Sequence, residues 1–251
     1  MRPDTTNQKV VLITGGAARI GASIVKYLHK TGFSIALHYR HSKTAAETLC
    51  SELNSIRTNS ACCFEADLLD ITEIERLVNN TLGQWGKLDV LINNASSFSP
   101  TPLANINEEQ WRNLMGTNAH APAFLCKACS PSLRESKGCI INISDIVANT
   151  GRRDFLFYSM AKAALNNLTR SLARELAPEI RVNAIAPGTI LPPNYSDSDI
   201  ESGSSDIPPS FSCLSYPGKA EDIAYATAFL IENTYTTGQV LNVDGGSRLK
   251  F

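Results

Sequence analysis

At 251 residues with 43% apolar side chains, the chain has enough apolar material for one sizeable core. Its net charge of −1 gives no pull toward nucleic acid or an acidic membrane surface. Four histidines without metal-ligand spacing, and no apolar run near the roughly 18 residues that span a bilayer, argue against metal and membrane roles.

The start, Met1 to Gln8, is polar and lacks the apolar centre of a secretory signal, so the expectation is a cytoplasmic protein. Apolar, β-branched windows then alternate with amphipathic ones. Strands are predicted at Val10–Ile13, Ser34–His38, Ser60–Phe64, Val90–Ile92, Cys139–Ile143, Arg181–Ile185 and Val240–Val243. Helical patterns lie between them at Ile20–His29, Thr44–Ile56, Thr72–Leu82 and Tyr158–Leu176. Continuous rather than alternating apolar strands mean burial on both faces, and strand–helix alternation gives a doubly wound parallel α/β sheet. No shift in composition marks a boundary, so residues 1–251 read as one dinucleotide-binding domain.

The first strand runs into Thr14-Gly15-Gly16-Ala17-Ala18-Arg19-Ile20-Gly21 as a helix opens. Gly15 permits a tight turn, Gly21 permits close packing, and the free N–H groups of the helix face a pyrophosphate. After the second strand, proteins using NAD place a carboxylate for the ribose 2′-hydroxyl. Here the residues are His38-Tyr39-Arg40-His41-Ser42, a guanidinium and hydroxyl suited to a 2′-phosphate, which predicts NADPH.

Seven cysteines form no disulfide framework. Cys126 and Cys129 make a CxxC, but they fall in the helical stretch AFLCKACSPSL and read as small core or interface residues. Tyr158 and Lys162, four apart on one helix face, suit acid–base work, and an ammonium beside a phenol favours the phenolate. From Leu191 to Gly218 the chain is rich in Ser, Pro and Asp and has no period. Following a strand's C-terminal end, residues 191–218 read as a flap over the site.

With Asp67 and Leu68 after the third strand, Asn93-Asn94-Ala95 after the fourth, Asn118, Tyr158-Ser-Met-Ala-Lys162, Pro187-Gly188 and Asp244-Gly245-Gly246, the chain resembles the short-chain dehydrogenase/reductase family along nearly its whole length. The resemblance implies that Tyr158 donates a proton, Lys162 also holds the nicotinamide ribose, and Asn118 supports a water-linked proton path. It implies further that Gly15, Arg19, Ile20, Gly21, Asp67, Leu68, Asn94, Ala95, Ser96, Pro187 and Gly188 border the cofactor, and that copies assemble as a homotetramer.

Three departures narrow the substrate. The family's serine thirteen residues before the tyrosine is replaced by Asp145, while Ser144 is one register off and points elsewhere. Arg19 stands where many relatives have glycine, and Ala95 is followed by Ser96-Ser97-Phe98. An ionised carboxylate repels the negative charge of a reacting ketone but accepts an N–H from a nitrogen heterocycle. Together these resemble the pteridine reductases, with their T-G-x-x-x-R-I/L-G turn, N-N-A-S-S-F loop and aspartate. That implies a pteridine between the nicotinamide and Phe98, touched by Arg19 and Ser96, with Asp145 and Tyr158 handling protons. Phe98 reads equally well as an anchor for its loop. Ala177–Leu191 looks similar to a bacterial branch acting on dihydromonapterin, and dihydrobiopterin, dihydromonapterin and dihydrofolate all stay open. A general carbonyl reductase, such as a 3-oxoacyl thioester reductase, and a non-enzymatic NADPH sensor are the alternatives.

Overall fold

The structure, a computed structural model, describes residues 8–190 and 212–250. Seven strands form one parallel sheet: β1 (Val10–Thr14), β2 (Ser34–Tyr39), β3 (Ala61–Glu65), β4 (Val90–Asn93), β5 (Cys139–Ile143), β6 (Arg181–Pro187) and β7 (Val240–Val243). Their spatial order is β3-β2-β1-β4-β5-β6-β7, which reverses direction between β1 and β4. Every residue of β1, β2, β4 and β5 is buried, which accounts for the unbroken apolar windows in the sequence.

The helices are α1 (Arg19–Lys30), α2 (Lys43–Ile56), α3 (Ile71–Trp85), α4 (Glu108–Met115), α5 (Ala121–Ser136), α6 (Val147–Thr150), α7 (Leu156–Glu175) and α8 (Ala220–Glu232). Alternation along β1 divides the core in two. Val11 and Ile13 pack with Ile24 and Leu28 of α1, Leu49 of α2 and Ile223 of α8. Val10 and Leu12 face Ile74 and Leu77 of α3, Leu125 of α5 and Ala173 of α7. Each such Val, Leu or Ile side chain, when fully buried, contributes about 1.5–3 kcal/mol of hydrophobic stabilisation. Cys126 and Cys129 sit buried within the second of these layers as free thiols, and burial alone pushes Cys126 up to about 12. They are inert core residues, as expected of an apolar helix face.

Predicted strands end within two residues of those observed and predicted helices within three. The short helices α4 and α6, and α8, have no counterpart in that reading. α8, AEDIAYATAFLIE, is apolar around most of its circumference and so lacks the stripe that marks a surface helix. Between α4 and α5 the chain widens into a π-turn at Gly116–His120, with the N–H of Ala121 reaching the carbonyl of Gly116. Such turns recur at functional sites because they aim a side chain inward, and here it is the buried Asn118. Among the described residues no helix is long and apolar enough to cross a membrane. Most of the expected flap, residues 191–211, lies outside the described residues. Its end, Ser212–Gly218, returns beside β6, where the N–H of Gly218 meets the carbonyl of Thr189.

Candidate active site

The turn after β1 is clamped from three sides. The Asn94 side-chain amide donates to the carbonyls of Thr14 (2.8 Å) and Gly15 (2.9 Å). The Thr14 hydroxyl accepts from the N–H groups of Asn94 and Ala95, each at 3.0 Å. His38 lies beneath, its Nδ1 accepting from the N–H of Gly15 at 3.2 Å and its Nε2 3.0 Å from the Ala66 carbonyl. This pairing fixes the neutral imidazole with its proton on Nε2, and burial lowers its pKa in the same sense. Gly15 has φ +61°, and a Cβ on Gly21 would lie 2.4 Å from the Gly15 carbonyl oxygen. The turn therefore needs both glycines, one for conformation and one for space.

α3 and α4 carry their own caps, from Asp70 and from an Asn107–Gln110 box. α1 has none: Ala18 precedes it and no acid lies in its first turn. Its N–H groups and dipole are left for an anion supplied from outside, as the pyrophosphate of a dinucleotide would be. Arg19, exposed at this end, holds φ +51°, a left-handed conformation that costs a non-glycine residue about 1–2 kcal/mol. Glycine would relieve that strain, at the loss of the guanidinium.

Arg40, His41 and Ser42 lie exposed at the end of β2, while Tyr39 packs into the core. Arg40 donates to His41 at 2.8 Å and stands 3.6 Å from the Asp67 carboxylate. Ser42 precedes α2 without using its hydroxyl as a cap. Arg40 and Leu69 border an open cleft of about 750 Å³ that Ser99, Asn107, Gln110 and Asn113 also line. Leu68 is buried beside α3, and Ile20 is partly buried against the α1 core. Pro187 and Gly188 end β6, with Gly188 so close to Asp244 that a Cβ would lie 2.8 Å from its Cα. A dinucleotide fits this set of donors and cradles.

On the other side of the switch point, Tyr158 donates its hydroxyl to Asp145 Oδ2 at 2.8 Å. Asp145 is fixed in turn by the N–H of Val147, 3.0 Å from Oδ1. Lys162 is fully enclosed in α7 and donates to the Ile143 carbonyl at 2.9 Å. Burial lowers its pKa to about 8, with Asp145 opposing the shift. Tyr158 moves the other way: burial first, then the Asp145 charge, push its pKa well above 10. In the chain without cofactor these two causes keep the phenol neutral; the expected pull toward the phenolate included the positive nicotinamide of the oxidised complex as well as the lysine.

Ser96 stands in hydrogen-bonding reach of Tyr158 and donates to Asn118 Oδ1 at 2.7 Å. Asn118 spends its amide on the carbonyls of Ser97 and Leu114, both at 2.9 Å. Ser144 turns away and donates to Asn166 at 2.6 Å inside α7, so Asp145 alone occupies the position beside the tyrosine. Phe98, 53% exposed, meets the Tyr158 ring edge-on at 4.8 Å and stacks on Phe155 at 4.6 Å, with Arg152 over the pair. Sequence reasoning passed over Thr14, Phe155 and Arg152. The turn motif contains Thr14, but the other two sit in the loop RRDF, where no period or motif distinguishes them.

A family model described as Enoyl-(Acyl carrier protein) reductase matches residues 15–248. Pteridine reductase 1 of Leishmania tarentolae is 34% identical over 96% of both chains. A 3-oxoacyl-(acyl-carrier-protein) reductase of Staphylococcus aureus is 35% identical over 95% of this chain and 97% of its own. The Granaticin polyketide synthase putative ketoacyl reductase 2 of Streptomyces violaceoruber is 32% identical over 99% of this chain and all of its own.

Proposed function

The chain belongs to the short-chain dehydrogenase/reductase family of oxidoreductases, and from that premise we propose that it reduces a pteridine with NADPH. Overall identity does not choose the substrate, since a pteridine reductase and an oxoacyl reductase are equally similar. The observation that carries the reading is the carboxylate of Asp145 on the phenol of Tyr158. Reducing a ketone places negative charge on oxygen, and a carboxylate at that spot opposes it. Reducing a C=N bond sends the proton to nitrogen, and the ring N–H groups of a pterin are donors that a carboxylate accepts.

NADPH, when bound, supplies the hydride. Arg40 and Ser42 offer a guanidinium and a hydroxyl to its 2′-phosphate, and no carboxylate lies among residues 38–42. The first turn of α1 takes the pyrophosphate, and Lys162 lies where the resemblance places the nicotinamide ribose. Tyr158, neutral and aimed by Asp145, gives its proton to the ring nitrogen beside the carbon being reduced. Asp145, Ser96 and Asn118 form the polar chain along which that proton is restored. Phe98 offers an exposed ring face for stacking, and Arg19 a planar guanidinium at the turn.

NADPH oxidation by the purified protein, followed optically with 7,8-dihydrobiopterin, dihydromonapterin, dihydrofolate and a 3-oxoacyl thioester in parallel, tests this. Saturable turnover of a pterin is expected. Turnover of the thioester alone would overturn it in favour of the carbonyl reductase, the reading that the family model's description and the oxoacyl relative support.

A further inference from the structure

A line of contacts leads outward from the proton donor. Tyr158 is buried, Phe98 meets its ring edge-on at 4.8 Å, and Phe155 stacks on Phe98 at 4.6 Å with only 16° between the planes. The Arg152 guanidinium closes the line, 4.5 Å from the Phe155 centroid and 5.6 Å from that of Phe98. Arg152 is exposed, and among the described residues no carboxylate pairs with it. Its neighbour Arg153 behaves as an ordinary surface residue does, lying 3.8 Å from the Asp154 carboxylate.

A guanidinium resting against aromatic rings is held on that side by cation–π attraction, while its N–H donors stay available to a partner. That arrangement pre-organises the fork for a planar oxyanion, and two parallel N–H···O bonds to a carboxylate are its best-matched partner. The charge of Arg152 also reaches Tyr158, where it opposes part of the upward shift of the phenol, so the guanidinium belongs electrostatically to the site mouth. A short polyhydroxylated tail has no use for an unpaired cation on an aromatic shelf. A tail with an aryl spacer ending in a carboxylate uses both.

Resting on the pteridine reading, we propose that Arg152 is a specificity residue that binds a carboxylate on the substrate's tail, with Phe155 beside it as the shelf for the aryl group between. The preferred substrate class is therefore a dihydropterin whose tail carries an aryl amide spacer and a carboxylate beyond it, as dihydrofolate does, rather than one with a neutral tail. Arg152 is exposed, and among the described residues its side chain packs only against the two rings, so its replacement leaves the core intact.

Steady-state kinetics with 7,8-dihydrofolate and 7,8-dihydrobiopterin, on wild type, Arg152→Gln and Arg152→Lys, separate the possibilities. The expected result in Arg152→Gln is a KM for dihydrofolate raised roughly 10- to 100-fold, the loss typical of a charge-assisted pair. Its kcat, and its KM for dihydrobiopterin and NADPH, should stay within about twofold, and Arg152→Lys should recover part of the loss. An unchanged dihydrofolate KM, equal rises for both pterins, or wild-type turnover of dihydrobiopterin without dihydrofolate overturns the assignment while leaving pteridine reduction standing. Turnover of a 3-oxoacyl thioester with neither pterin removes the pteridine reading itself, and the role of Arg152 with it.

Discussion

A carboxylate beside the proton donor changes which transition state the site can stabilise. Asp145 accepts from Tyr158 at 2.8 Å and is itself anchored by one backbone N–H, so the phenol is oriented and kept neutral. Serine in its place would orient a carbonyl oxygen by donating to it, without a negative charge. Asp145→Ser is therefore predicted to lower dihydropterin turnover by about 10²-fold or more, the scale of a lost acid–base partner. It should also raise turnover of a 3-oxoacyl thioester and leave NADPH affinity within about threefold. Pterin kinetics indistinguishable from wild type would remove Asp145 from the chemistry. In the proposed mechanism Lys162 would set the pH window. Its folded pKa is lowered from 10.5 to about 8, so its charge is present below that pH and lost above it. Turnover should thus decline above about pH 8, while the phenol, shifted upward, contributes no limb there. Stability runs oppositely: between about pH 8 and 10.5 the unfolded chain holds the extra proton, so the fold gains stability as pH rises.

At the scale of elements, the proposed preference for NADPH rests on the turn from β2 into α2. His38 points down to hold the glycine turn and Tyr39 packs in the core, which leaves Arg40, His41 and Ser42 as the outward face. Among the described residues Arg40 reaches only His41 and, at 3.6 Å, a half-exposed Asp67, contacts worth little in water. A 2′-phosphate is the better partner. Arg40→Asp is predicted to raise the KM for NADPH at least 10-fold more than that for NADH, and parallel losses for both would refute the phosphate role. Most of this region was legible in the sequence, because a glycine turn after a buried strand and the absence of a carboxylate after β2 are local signals. The side chain of His38 was not, since only the fold shows that it braces Gly15 from 23 residues away. Nor was the direction of the Tyr158 shift. Spacing put Lys162 on the same helix face, but the depth of burial and the aim of Asp145 are tertiary facts. Arg152 and Phe155 were invisible for the same reason, their stack depending on a loop that folds back to Phe98.

For the whole molecule, the edge of the sheet beyond β6 is the unfinished part. β7 is the last strand, and all four of its residues are only partly buried, unlike those of β1, β2, β4 and β5. An outer strand presents unpaired backbone groups and needs cover. Beside it α8 exposes Tyr225 (55%) and Phe229 (51%), one turn apart on a helix that is apolar on its inner face as well. We propose that these two exposed rings, Tyr225 meeting Tyr27 edge-on at 5.1 Å, together with an edge strand that is only partly buried among the described residues, form an association surface. A second copy is the partner that the family reading implies, and a self-complementary contact through α8 and β7 would cover both features at once. Light scattering after size exclusion should give a multiple of the chain's 27.2 kDa, four copies being the expected number. In Tyr225→Glu/Phe229→Glu, where two carboxylates would be buried without partners, the mass should fall to a smaller species with the α/β circular dichroism retained. A wild-type monomer at micromolar concentration, or a double variant that assembles as wild type does, would show that this face is not where copies meet.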